Sequence, residues 1–251
     1  LIGNAQSLGT GAIVNNASLV FDQSTAGSFA GAISGAGSLT KTGAGALTLT
    51  GANSFSGGTT IAAGTLNGNA QSLGTGAIVN NGSLVFDQTT GASFTGAISG
   101  TGSLIKSGAG TLTLTGVNNF TGTTTVTAGR LNLAGSPARS ITTLQSGSTL
   151  SENSTVGSLA RSTMTLQSGT TLGGNGTVGS LTAQSGSTVS PGNSIGTLSV
   201  NGNLTLAAGS TLAIEVAPSG SDMVTVTGTA NLAGNLTVTP STGQYTFFQR
   251  F

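Results

Sequence analysis

The sequence predicts an all-β chain wound as a parallel β-helix, a β-solenoid of about twelve coils, each of roughly 17–23 residues. Three observations predict it. Residues 3–67 are written again as residues 68–132, with 49 of 65 positions identical. Apolar residues come in short alternating bursts such as Leu47-Thr48-Leu49-Thr50, the period-2 pattern of a strand with one buried face. The chain has 43 glycines in 251 residues, and they fall between those bursts, where a coil must turn. Together these describe a stack of short strands joined by tight turns, each layer resting on the next.

Taken in order, the first copy supplies Leu19, Leu39 and Ile61 before Leu84 opens the same phrase in the second. Those steps are each one coil long, which assigns three coils to each copy. The copies also match Phe21 with Phe86, Asp22 with Asp87, Phe29 with Phe94, Lys41 with Lys106 and Phe55 with Phe120. After Asn132 the wording changes while the period persists. Thr143-Leu144-Gln145-Ser146-Gly147 returns one coil later as Thr165-Leu166-Gln167-Ser168-Gly169, and Leu150, Val156 and Leu159 return as Leu172, Val178 and Leu181 by the same shift. A shorter step carries these to Val189, Ile195 and Leu198. Near the end Leu212, Ile214 and Val216 alternate with Ala213 and Glu215, and Leu236 and Val238 flank Thr237, as strands do. Glycine or a β-branched residue interrupts every window long enough for a helix.

These elements divide the chain into residues 1–187, a rod built of repeats, and residues 188–251, a C-terminal cap of the same β-helix. A single coil buries too little apolar surface to offset the entropy of ordering its backbone, so stability must come from neighbours. At about 4.8 Å per coil the rod would be about 55 Å long, with exposed sheet edges at unprotected ends. Asn53 and Asn118 are expected at turns needing left-handed backbone. The repeated phenylalanines are expected in the core or at coil corners rather than on an exposed sugar-stacking strip.

Composition excludes several functions. Charged residues make up 4% of the chain and the formal net charge is +1, so no basic field exists to attract nucleic acid. No apolar run approaches the roughly 18 residues of a membrane span. Histidine and cysteine are both absent, which removes zinc sites, disulfides and thiol chemistry. Leu1 enters in mid-phrase, so the chain is expected to be part of something longer.

Catalytic strings are present without catalytic context. Gly192-Asn193-Ser194-Ile195-Gly196 has the spacing of a nucleophile elbow, but Ser194 would need a histidine base and a strand-to-helix turn. Gly174-Asn175-Gly176-Thr177-Val178-Gly179 has dinucleotide-loop spacing without the helix that would hold the phosphates. Val178 stands where a calcium-binding nonapeptide repeat would need aspartate. Asp22, Asp87, Glu152, Glu215 and Asp222 are scattered, whereas glycosidase carboxylates must lie about 5–9.5 Å apart. We assign no catalytic, cofactor-binding or metal-ligating residue and expect no cofactor.

The stretch from Gly37 to Leu66, GSLTKTGAGALTLTGANSFSGGTTIAAGTL, and its second copy from Gly102 to Leu131 closely resemble the passenger-associated repeat of bacterial autotransporters. Ser190-Pro191-Gly192-Asn193-Ser194-Ile195-Gly196-Thr197-Leu198 and the segment from Ser221 to Gly234 resemble the C-terminal passenger region. The resemblance implies a right-handed β-helical passenger, secreted or held at the surface of a Gram-negative cell and exported through its own outer-membrane barrel. It also implies a C-terminal autochaperone that folds first. No barrel follows Gln244-Tyr245-Thr246-Phe247-Phe248 within the chain, so the barrel partner is expected outside it. The expected role is a non-catalytic stalk and folding nucleus with adhesive faces for host or sister-cell molecules, and self-association as a further contact. The alternative is a stalk presenting a protease or esterase domain N-terminal to Leu1.

Overall fold

The computed structural model describes residues 1–133, 142–145, 148–152, 159–192 and 194–243. Val156, Asn193, Ser146, Gly147 and the aromatic phrase from Gln244 to Phe248 lie outside them. Within the described residues all regular structure is β, and parallel pairing stacks it into a solenoid of about 11 turns, close to the twelve expected.

Each coil has three faces. Face one is a six-stranded sheet whose register runs Leu19, Leu39, Thr59, Ile78, Ile98. Face two is a 13-stranded sheet running nearly the whole rod. Face three begins with Ile13–Val14 on Ile33–Ser34 and ends as a nine-stranded sheet from Ala92–Phe94 onward. Between these, hydrogen bonds from Ser54 N to Ile33 O (2.8 Å) and from Thr75 N to Phe55 O (3.0 Å) keep the same face stacked without regular strand.

The register corrects the expected three coils per copy. Three steps along face one from Leu19 reach Ile78 and stop short of Leu84, which sits around the corner on face two between Leu66 and Leu104. One copy is therefore three and a third coils. Ser18–Asp22 on face one becomes Ser83–Asp87 on face two, and Gly27–Phe29 on face two becomes Ala92–Phe94 on face three. The inward and outward pattern survives because all three faces bury alternate residues of a strand, so the same words can be read on any of them.

Later coils differ in detail from the sequence alignment. The expected step holds where Leu150 ladders with Leu172 and Leu144 with Leu166, and the shorter one holds at Leu172 with Val189. Leu159 pairs instead with Val178, and a register shift before Thr163 brings Met164 over Leu181. Leu181 then pairs with Leu204 and Val178 with Val200, so Ile195 and Leu198 are not their ladder partners. An irregularity adds residues without moving the buried column, and similarity of words cannot reveal it. The final step on face two, Leu204 to Ala230, is longer because an antiparallel hairpin pairing Val216 with Ser221 is inserted in that coil.

A single apolar column fills the interior, from Leu19 through Leu39, Leu66, Leu84, Leu104, Leu131 and Leu172 to Leu204. Phe21, Phe29, Phe55, Phe86, Phe94 and Phe120 are all buried in it, as core packing requires. Phe21 meets Phe29 edge-on with centroids 5.4 Å apart, and Phe86 and Phe94 repeat the contact at 5.5 Å. The last described coil keeps the alternating pattern but has nothing described stacked on it, leaving Leu232, Leu236 and Val238 more than half exposed. Burial in this fold is conferred by the next layer.

Coil corners impose the glycines. Gly100 has φ +104°, and a Cβ there would stand 2.1 Å from Asn80 O in the coil beneath. Gly100→Ala should therefore cost about 1–3 kcal/mol from backbone strain alone, with the steric clash adding to it. Gly91→Ala, with open space around its Cβ position, should be neutral or slightly stabilising. Urea midpoints of the two variants check the pair.

Candidate functional site

The catalytic strings come apart in three dimensions. Ser194 is exposed on a turn where Gly192 N donates to Gly174 O (2.9 Å) and Gly174 N to Gly192 O (3.1 Å). The neighbouring acid, Asp222, accepts from Gly196 N (2.8 Å) and Glu215 N (2.7 Å), so its carboxylate serves backbone amides. The segment from Gly174 to Gly179 runs into the strand Thr177–Ala183. Asp22 and Asp87 lie on different faces, Glu215 is exposed elsewhere, and the side chain of Glu152 lies outside the described residues. Among the described residues no group of three or more acids, histidines or cysteines comes together.

Asn53 and Asn118 correct the expected left-handed turns, since no described non-glycine residue has positive φ. Both are buried and act between coils. Asn53 Oδ1 accepts from Ile33 N in the preceding coil (2.8 Å), and its Nδ2 donates to Ser72 O in the following one. Asn118 repeats the first contact with Ile98 N at 3.0 Å. An amide carries both a donor and an acceptor, which lets one side chain replace ladder bonds where regular strand is missing.

Two lysines are the functional residues that sequence reasoning passed over. Lys41 and Lys106 are completely buried. Lys41 Nζ donates to Thr42 O (2.6 Å), Gly43 O (2.7 Å) and Ala63 O (3.2 Å), which occupies all three ammonium hydrogens. Lys106 forms the same cage with Ser107 O (2.6 Å), Gly108 O (2.7 Å) and Ala128 O (3.2 Å). Ala63 and Ala128 belong to the next coil, so each lysine ties two layers together, while Asp22 and Asp87 in the preceding coil act on it through charge. The signal was available: in Leu39-Thr40-Lys41 the lysine stands two positions after an inward leucine and must point inward too.

Burial pushes both ammonium groups below the ordinary lysine value, with Asp22 and Asp87 partly restoring it. Between the lowered folded pKa and about 10.5 the unfolded chain binds more protons than the folded one. Stability should then rise with pH through that window, while the cost of burying the charge is fully present below it. Urea midpoints should climb from neutral pH toward about pH 10 in the unsubstituted chain, and the slope should flatten in Lys41→Met/Lys106→Met. An equal slope in both proteins would assign the effect to other groups.

Outside, the register builds uncharged ladders. It stacks Thr165, Thr182 and Thr205 on face two, and Thr149, Thr171, Thr188 and Thr211 on face three. Asn67 Nδ2 donates to Thr48 Oγ1, and Asn132 Nδ2 to Thr113 Oγ1, both at 3.3 Å. At the C-terminal end Thr225 Oγ1 donates to Ser199 Oγ (3.0 Å). Such a surface offers hydroxyl and amide groups in rows, without gathered charge.

The fold and its faces define a rod: a parallel solenoid with caged interior lysines and hydroxyl-lined faces. Residues 39–67 and 104–133 match the passenger-associated transport repeat, and each matched stretch holds one lysine cage, one bridging asparagine and one core phenylalanine. Over 118 residues the chain is 61% identical to a protein described as the adhesin BmaC autotransporter of Brucella suis biovar 1 (strain 1330). That alignment covers 46% of this chain and 4% of the relative. No solved structure matches. The repeats and the relative together support an autotransporter passenger domain, and with it a type V secreted passenger at or beyond the outer membrane of a Gram-negative bacterium.

Proposed function

We propose that the chain is a non-catalytic stalk of an autotransporter adhesin, with residues 188–251 as the cap that nucleates folding during export through a C-terminal barrel. The observation that carries this reading is the long ladder of face two. Along it, interior contacts tie layer to layer and the outward positions are mostly threonine, serine and asparagine. Rows of hydroxyls and amides suit multivalent, individually weak contacts whose avidity comes from number. Host or sister-cell surface molecules are the partners proposed, and the similarity to an adhesin supports that choice.

The test displays the passenger with its barrel on a non-adherent bacterium. Adhesion or autoaggregation should appear, and should fall when Thr165, Thr182 and Thr205 are replaced by lysine on one face. No adhesion from a fully displayed passenger would overturn the adhesive reading. Hydrolase activity retained by the isolated chain would overturn the non-catalytic one.

A further inference from the structure

A hollow of about 320 Å³ lies on the outward side of face two, where Thr48, Asn67 and Val85 stack and Asn69 leads into a turn. That is the lower end of the range for small-ligand sites. Its polar lining comes from Thr48, Thr50, Asn67, Asn69, Asp87 and Ser107, and Val85 contributes an apolar patch. Asp87 Oδ1 accepts from Ser107 Oγ (3.3 Å), which orients the carboxylate and leaves Oδ2 for another donor. Asn69 Oδ1 is engaged by Gln71 N (2.9 Å) and Ser72 N (3.0 Å), so the amide is held fixed with its two Nδ2 hydrogens unspent.

We propose that this hollow is a subsite for one neutral pyranose unit of a surface glycan. The inference rests on the adhesive reading and names the chemistry such adhesion would use. A carboxylate accepts hydroxyl hydrogens through strong charge-assisted bonds, and an amide NH₂ donates to a ring or hydroxyl oxygen. Thr50 can serve as either, Thr48, which accepts from Asn67, keeps its hydrogen to donate, and Ser107, whose hydrogen goes to Asp87, can accept; Val85 can lie under the C–H face of the ring. A hard divalent cation would want six or more oxygens including several carboxylates, whereas the hollow offers one carboxylate. A phosphate or sulfate would meet Asp87 with no exposed base beside it, since Lys106 is enclosed by backbone carbonyls.

The first copy repeats the constellation. Asn4 Oδ1 accepts from Gln6 N (3.0 Å) and Ser7 N (2.8 Å), and Thr42 Oγ1 donates to Asp22 Oδ1 (3.0 Å). The turn by one face per copy points the Asp22 and Asp87 constellations in different directions about the rod, so a tandem array would offer sugars a site on every side.

The test titrates the ¹⁵N-labelled chain with methyl glycosides of glucose, galactose, mannose and N-acetylglucosamine. Saturable shifts are expected at the Asn69 side-chain amide and at the Val85 and Ser107 backbone amides. Asp87→Asn should weaken binding at least tenfold. Absence of saturable shifts with all four sugars, or undiminished binding by a folded Asp87→Asn chain, would overturn the subsite. Cells displaying the passenger separate the two readings. Adhesion without sugar binding removes this site and keeps the adhesive stalk, whereas sugar binding without adhesion keeps the site and removes the stalk's adhesive role.

Discussion

Deleting Ser221–Thr239 should slow refolding of the upstream coils by at least tenfold, read by far-ultraviolet circular dichroism after dilution from urea. The reason is where strand pairing can begin. Each parallel ladder joins residues a whole coil apart, as Leu172 to Val189, whereas the hairpin joins Val216 to Ser221 across one tight turn. Closing a short loop costs less entropy, so the hairpin can form before any coil does. Asp222 then fastens it to the preceding coil by accepting from Gly196 N and to its own strand by accepting from Glu215 N. The strands that follow lay Val224 on Leu198, Ala230 on Leu204 and Leu236 on Leu212, a template spread over three strands.

Because the deletion removes a covering layer as well as a nucleus, Asp222→Ala provides the finer comparison. It leaves every strand in place and removes the acceptor of two half-buried amide donors, which water can partly solvate, so each loss should fall toward the lower end of about 1–3 kcal/mol. If these bonds form early, most of that loss should appear as slower folding rather than faster unfolding. Unchanged folding rates in both variants would remove the C-terminal coils from the nucleus.

Phe86→Ala is expected to destabilise the rod by about 3–5 kcal/mol, the range for truncating a fully buried aromatic side chain. Phe86 is fully buried, and its contact with Phe94 ties face two to face three within one coil. In a stack where each layer touches only its neighbours, a cavity in mid-rod weakens the coupling between the parts on either side. Urea unfolding of the variant should therefore broaden or split into two transitions. A loss below about 1 kcal/mol with one sharp transition would show that the neighbouring coils collapse onto the gap.

Much of this architecture was legible in the residues. The alternation around Leu39, Leu47 and Leu104 identified strands, because a pleated backbone sends successive side chains to opposite sides whatever surrounds it. The repeat length identified a stack, because no coil can hold its interior alone. The lack of a histidine partner for Ser194 was equally plain, since a residue absent from the chain cannot be supplied by folding. Lys41 was readable as an inward residue by the same alternation, but its charge argued for solvent, and only a cage of three carbonyls resolves that conflict. Asn53 was misplaced because asparagine suits left-handed turns and interlayer bridging alike, and composition does not separate the two.

The sequence by itself determined that the chain is a solenoid of short strands with an apolar interior, a sparsely charged exterior and no chemistry of the histidine or cysteine kind. Those properties follow from local geometry and from which side chains are present. Only the tertiary structure decided which strand lies on which: that a copy advances by three and a third coils, that Leu84 turns a corner instead of continuing above Leu19, and that Met164 replaces Leu159 over Leu181. Three faces with the same alternating burial accept the same strand equally well. The choice among them falls to the turns, whose lengths and irregularities set how far round the axis the chain has travelled.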